Sequence, residues 1–403
     1  MRVTAADIEH ARKRLTGIVK PTPLVPSATL ERMFNARVLL KPENLQKTGS
    51  FKIRGAFNRI AAMSSAEKSR GVIAASAGNH GQALAWAATR AGVKATIVMP
   101  RTATISKVDA TRSYGQTVVL EGVDYQEARS AAKRLCAQSG ALFVDAYDDP
   151  IVIAGQGTIG LEILEEVVPD IVYVPVGGGG LLSGITLAIK ERAPEVEVVG
   201  VEASGSPQLS QSLAAGAPVS LGRPVDTIAD GLATGRLGAL PFEIIQNRVS
   251  RAVTVDDFEI GEAVLLLLER LKLLAEGAGA TALAGALKER EMLRGKTVVV
   301  VVSGGNIDMN LLDRIIGHGL SKMGRLFRFA IALHDRPGEL SRLLAAVSET
   351  GANVHTIVHD RTRRDVPIGG ALVQLELETR GTEHIESVCA HLKERGYVIK
   401  PES

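Results

Sequence analysis

Lys52 stands in the run Lys47-Thr48-Gly49-Ser50-Phe51-Lys52-Ile53-Arg54-Gly55-Ala56, among hydroxyl residues, an aromatic ring and two glycines. A packed helix face would not select that mixture. An amine held in a dry pocket loses part of its preference for the ammonium form and becomes a usable base or nucleophile. It can then form a Schiff base with an aldehyde. A solvated surface lysine is the plainer reading. What weighs against it lies downstream: a glycine loop of phosphate-binding type and two further Gly/Asn loops, each directly after an apolar stretch.

The glycine loop is Gly177-Gly178-Gly179-Gly180, and Leu181 follows it. It comes after residues 171–176, which read as a buried strand, and opens a helix predicted over 181–191. Several N–H groups converge there on an anion with no Cβ in the way. A tight turn is the structural alternative, but one turn does not need four glycines in a row. Ser76-Ala77-Gly78-Asn79-His80-Gly81 makes a second strand-to-helix turn and a second anion site. Ser303-Gly304-Gly305-Asn306 ends a valine-rich strand. Ser303 there is either a helix N-cap or a neutral partner for a ring nitrogen. A dinucleotide site is the rival, since the second strand ends at Glu202. The G-x-G-x-x-G/A spacing fails, however, because its last position falls on Leu182 or Ser183. A phosphate loop with a loop lysine points instead to a phosphorylated aldehyde, pyridoxal 5'-phosphate.

These loops need a scaffold, and the composition supplies one. The chain has 403 residues, 45% of them hydrophobic, which suits two or three domains with sizeable cores. Aromatic residues make up only 3%, against base stacking as a binding mode. The 47 basic and 44 acidic residues leave a net charge of +3, so neither nucleic acid nor an anionic membrane is favoured as a partner. No signal-peptide pattern opens the chain and no aliphatic run approaches a membrane span, so a cytoplasmic location is expected. Cys136 and Cys389 make neither a disulfide framework nor a metal spacing.

Short apolar runs alternate with amphipathic helices from residue 37 to residue 302. That pattern argues for parallel sheets covered on both faces, an α/β architecture. The texture changes near 317–325, where Gly317-His318-Gly319 and Met323-Gly324 read as a linker. Beyond it, alternation at Phe327, Phe329, Ile331 and Leu333 marks a strand, and Leu340, Leu343, Leu344 and Val347 a helix. The order βαββαβ predicts a ferredoxin-like unit. Arg361, Arg363 and Arg364 read as a solvated hairpin loop.

Taken together, Ser50 to Ala56, Ser76 to His80, Gly177 to Gly180 and Ser303 to Asn306 resemble the threonine/serine dehydratases of pyridoxal-phosphate fold type II. The resemblance covers about residues 1–316. Residues 325–403 resemble an ACT domain, with Asp335-Arg336-Pro337-Gly338-Glu339-Leu340 as its ligand loop. One short ACT unit is similar to the medium-length threonine ammonia-lyases. The resemblance implies a two-domain, tryptophan synthase β-like catalytic part: a large subdomain over about 1–50 and 148–316, a small one over about 51–147. A linker over 317–325 and an ACT domain over 326–403 follow.

Carried to matching positions, the resemblance implies that Lys52 bonds the cofactor and Phe51 packs beside its ring. Asn79 meets the ring hydroxyl, and Gly177, Gly178, Gly179, Gly180 and Leu181 cradle the phosphate. Ser303 meets the ring nitrogen, Glu276 lies near the ring, and Ser76, Asn79 and His80 hold the substrate carboxylate. Glu202 matches a cation-binding glutamate, so a structural monovalent or divalent cation is implied, weakened by Gln208 where a second carboxylate would stand. Ala77 replaces the second serine that serine racemases carry, so elimination with little racemisation is expected. The implied activity is β-elimination of L-threonine to 2-oxobutanoate and ammonia, with L-serine to pyruvate beside it. A serine or 3-hydroxyaspartate ammonia-lyase is the alternative within the class, and a non-catalytic amino-acid sensor the alternative outside it. An amino-acid effector is expected near Asp335, Pro337, Gly338 and Asn353, in a dimer or tetramer.

Overall fold

The computed structural model describes residues 3–223, 225–362, 366 and 368–401. The chain falls into two compact units, Met1–Met309 and Asn310–Ser403. Among the described residues no helix is long and apolar enough to cross a membrane.

The first unit holds two sheets. In the larger, the strands run in the order Val25–Pro26, Arg37–Pro42, Thr297–Val302, Ile171–Pro175, Glu197–Ala203 and Arg251–Val255, parallel except for the first pair. The smaller is parallel throughout, in the order Thr117–Leu120, Ala95–Met99, Val72–Ala75, Leu142–Phe143. Its alternation is explicit. Val72 and Ala74 join Ile53, Ile60, Ala83 and Leu84 in one core, whereas Ile73 and Ala75 join Ala128, Ala131 and Ala132 in another. A strand buried on both faces reads as an unbroken apolar run, which is why its two faces are indistinguishable in sequence. The valine strand Thr297–Val302 is central in the larger sheet and buried from Val298 onward.

Strand Arg251–Val255 and helices Ala28–Phe34, Ser65–Arg70, Gln208–Ala215 and Ala239–Ile245 are short and carry little periodicity. They are legible only in the structure.

All but the first residue of helix Met309–Lys322 belongs to the second unit. This corrects the linker expected over 317–325, of which only Met323 to Arg325 lies outside the helix and the following strand. Gly317 and Gly319 cost a helix about 1 kcal/mol each relative to alanine, but Ile315, Ile316 and Leu320 keep the apolar period around them. The βαββαβ order holds: Leu326–His334, Glu339–Glu349, Asn353–Asp360, Gly370–Glu378, Thr382–Glu394, Ile399–Pro401. The sheet is antiparallel, with Asn353–Asp360 and Ile399–Pro401 at its edges. Arg361 is exposed and its Nε lies 2.9 Å from Asp335 Oδ1. Arg363 and Arg364 lie outside the described residues.

Candidate active site

Parallel strands leave their binding groups where their C-terminal ends open into loops. Strands Val72–Ala75, Leu142–Phe143, Ile171–Pro175 and Thr297–Val302 all release their loops into one cavity of about 290 Å³. Phe51, Lys52, Ser76, Asn79, His80, Gly177, Gly178, Gly179, Gly180, Leu181, Glu276 and Ser303 all line it. Every catalytic-unit residue singled out from the sequence, except Glu202, therefore meets at this cavity.

Lys52 opens the helix Lys52–Ala61. Its Nζ donates to the carbonyl of Ala146 at 3.1 Å and lies 5.1 Å from the centre of the Phe51 ring. Burial brings its pKa down to about 8, while Asp145 and Glu276 pull the other way. The lysine is therefore mostly an ammonium at neutrality but reaches its reactive free-amine form at a far lower pH than an exposed lysine.

Gly179 takes φ 91° as the N-cap of helix Gly180–Arg192. A Cβ on Gly178 would stand 2.2 Å from the ring of Tyr147. The carbonyls of Gly177 and Gly178 are occupied, by Gln208 Nε2 at 2.9 Å and Gly238 N at 3.0 Å. The first-turn N–H groups have no partner inside the helix, so they are the groups left to receive an anion.

Asn79 begins the helix Asn79–Ala91. Its Nδ2 donates to Glu276 Oε1 at 2.5 Å. Burial, then repulsion from Asp230, pushes Glu276 up to about 7, and the Asn79 bond partly opposes that. Glu276 occupies the N-cap of helix Gly277–Lys288 but makes no capping bond, so its carboxylate belongs to the cavity. His80 turns its ring inward, with Nε2 3.1 Å from the carbonyl of Val144. Burial and then the nearby Lys52 charge bring its pKa down to about 4, so the ring is neutral near neutrality. Ser303 Oγ lies 3.3 Å from the Ala278 carbonyl, and the next helix starts only at Met309, which removes the N-cap reading.

Glu202 is fully buried and accepts backbone N–H bonds from Leu209 at 2.6 Å and Ser210 at 3.0 Å. It holds the start of helix Gln208–Ala215, and no cluster of three metal-ligating side chains exists among the described residues. The structure thus gives Glu202 a structural task at the start of this helix.

Sequence reasoning missed Asn306, Tyr125, Tyr147, and the ion pair of Lys107 and Asp230, all of which line the cavity. Lys107 and Asp230 come from distant parts of the chain and carry no local pattern.

A phosphorylated aromatic aldehyde fits this set. The cavity offers one amine of lowered pKa, free N–H groups on a glycine loop and a neutral hydroxyl at a strand end. The model of the family described as pyridoxal-phosphate dependent enzymes matches residues 15–304. An L-threonine ammonia-lyase of Thermotoga maritima is 48% identical over 401 residues, covering 99% of each chain. The solved threonine deaminase isoform 2 of Solanum lycopersicum superposes with a TM-score of 0.75 at 35% identity, over 78% of this chain and 86% of that one. Serine racemase of Dictyostelium discoideum gives 0.71 at 38% identity, over 76% and 99%. The chain belongs to the family of pyridoxal-phosphate-dependent enzymes.

Proposed function

We propose that the protein is an L-threonine ammonia-lyase, converting L-threonine to 2-oxobutanoate and ammonia and acting also on L-serine. The observation that carries this is the meeting of Lys52, its amine lowered to about 8, with the glycine loop and the Ser76–His80 turn in one cavity. Similarity to L-threonine ammonia-lyase over the full length supports the choice of substrate.

Lys52 would hold the cofactor through Nζ, Gly177 to Leu181 its phosphate, Asn79 its ring hydroxyl and Ser303 its ring nitrogen, with Phe51 beside the ring. When bound, the cofactor supplies an electron sink that acidifies the substrate Cα–H. Lys52 Nζ takes that proton, which requires the amine to be unprotonated at that moment. The Ser76 N–H is taken by the Val98 carbonyl, so the Ser76 hydroxyl and the N–H groups of Asn79 and His80 would hold the substrate carboxylate at a helix N-terminus. His80 remains neutral and adds no proton to the site. Ser303, a hydroxyl, does not give the ring nitrogen the full charge a carboxylate partner would, which favours β-elimination over transamination.

Racemisation is the second reading, prompted by the serine racemase likeness. Ala77 lines the cavity and has no proton to give to the opposite face. Keto-acid release from L-threonine, L-serine and 3-hydroxyaspartate tests the proposal. Fastest release from L-threonine, abolished in Lys52→Ala, is expected; a clear preference for 3-hydroxyaspartate overturns it.

The second unit is proposed to be an ACT domain that binds a branched-chain amino acid at Asp335, Pro337, Gly338 and Asn353 and pairs with a second copy. Gly338 takes φ 89° at the start of helix Glu339–Glu349, and edge strand Asn353–Asp360 exposes Ile357 and Val358. Turnover that ignores isoleucine and valine refutes the effector reading.

A further inference from the structure

Asn306 has no role in the mechanism above, yet several features converge on its side-chain amide. Its Nδ2 donates to the Thr48 carbonyl at 2.8 Å and to Asn79 Oδ1 at 2.7 Å. Thr48, a β-branched residue, sits at φ 61° and ψ 15°, and Gly49 follows at φ 71°. The turn leading to Lys52 therefore holds a conformation that threonine disfavours and only outside contacts maintain. Space for the amide is kept by a missing side chain: a Cβ on Gly49 would stand 2.3 Å from Asn306 Oδ1. Across the same seam a Cβ on Gly304 would stand 2.2 Å from Glu276 Oε1. The backbones are joined too, with Gly305 N donating to the Gly49 carbonyl at 2.9 Å and a bridge between Ser50 and Gly304.

A carboxamide has an acceptor end and a donor end. Asn306 donates to the acceptor end of Asn79. The donor end of Asn79 must then face away from Asn306, where one N–H meets Glu276 and the second is left for a ligand.

We propose that Asn306 is a positioning residue: it fixes the Asn79 amide with its donor end toward the cofactor and pins the strained turn that precedes Lys52. This rests on the reading that Asn79 meets the cofactor's ring hydroxyl. Asn306→Asp keeps the shape but sets a carboxylate against two acceptors. The Asn79 amide then turns over and presents Oδ1 to the cofactor.

The test compares wild-type, Asn79→Ala, Asn306→Ala and Asn306→Asp holoenzymes by visible absorption and cofactor dissociation, and the cofactor-free proteins by thermal unfolding. Asn306→Asp is expected to weaken cofactor binding on the order of tenfold, the size of a lost hydrogen bond of about 1.4 kcal/mol. Its absorption band should shift in the same sense as that of Asn79→Ala, with Asn306→Ala in between. If Asn306→Asp does not fold, Asn306→Ala carries the test. Adding Glu276→Gln to Asn306→Asp supplies a donor for the turned-over Asn79 oxygen. The double variant should recover thermal stability while its absorption band stays shifted. Recovery of both together means Asn306 is merely structural and overturns the proposal. Wild-type absorption and dissociation in both Asn306 variants, with Asn79→Ala shifted, also overturns it. A silent Asn79→Ala brings down the Asn79 reading first and the proposal with it.

Discussion

Arg54 and Glu43 form a two-pronged ion pair with both side chains fully buried: Nε and Nη2 of Arg54 each lie 2.8 Å from a Glu43 oxygen. Glu162 and Lys41 complete the cluster, so two cations face two carboxylates and the buried charge sums to zero. Burial alone would raise the Glu43 pKa, but the Arg54 guanidinium holds it lowered. Arg54 sits two residues after Lys52, so this cluster anchors the helix that carries the reactive amine. Removing one member leaves an unmatched charge in the core. Arg54→Met should destabilise the protein by about 3–5 kcal/mol, measured by chemical unfolding. A loss under 1 kcal/mol would show that water reaches the cluster.

Lys107 and Asp230 make a second kind of pair, at the cavity mouth and partly in water, with side chains 25% and 55% exposed. Such a pair contributes about 0–1 kcal/mol and is screened by salt. Lys107→Met should therefore raise KM for the amino acid no more than about fivefold at low salt. At 1 M salt the variant and the wild type should converge. Equal salt dependence in both removes the pair from substrate binding.

The two buried titrating groups beside Asn79 work against each other in pH. His80 titrates at about 4 folded and at 6.5 unfolded, so between those values the unfolded chain holds more protons and stability rises with pH. Glu276 titrates at about 7 folded and at 4.5 unfolded, so between those values the folded chain holds more protons and stability falls as pH rises. From 4.5 to 6.5 the two slopes oppose, so together His80 and Glu276 should contribute little net pH dependence to the stability of the cofactor-free protein. Glu276→Gln removes one of them. Its stability should climb with pH across that window, by about 1–3 kcal/mol in urea unfolding; a flat variant profile would show that His80 titrates normally.

Where chemistry is local in the chain, the sequence displays it. Lys52, Gly177 to Gly180 and the Ser76 to His80 turn each sit in a strand-to-helix context that a short window contains. Ser303 and Asn306 are just as visible, but which atom each engages depends on Thr48, Asn79 and Ala278, more than 20 residues away. The buried cluster of Lys41, Glu43, Arg54 and Glu162 reads in sequence as ordinary charged surface, because burial of a charge is decided by its partners. Helix Met309–Lys322 was hidden for the opposite reason: its glycines read as breakers, while apolar spacing around them prevailed.

Ala77 lines the cavity between Ser76 and Gly78. A methyl group donates no proton, so Ala77 cannot return one to a substrate carbon deprotonated by Lys52. L-Serine should give pyruvate with little D-serine, followed by chiral separation of the products. Ala77→Ser restores a hydroxyl at that position and should raise D-serine formation. Abundant D-serine from the wild type would mean that another group supplies the proton, such as Tyr125 or Tyr147, which line the cavity.

Lys52 offers the sharpest titration. Its amine is lowered to about 8 against an ordinary 10.5, chiefly by burial, and Asp145 and Glu276 limit the fall. In the cofactor-free protein the free-amine fraction should rise with pH and reach half near 8. Reaction with a simple aromatic aldehyde, trapped by borohydride, reads that fraction directly. The rate should climb through pH 7–9 and level off above it, and Lys52→Ala should show only the slow background of surface lysines. Glu276→Gln removes one group that favours the ammonium, so its midpoint should move down. A midpoint near 10.5 would mean that water fills the cavity around Nζ and that the amine is not prepared for proton transfer until a ligand excludes it.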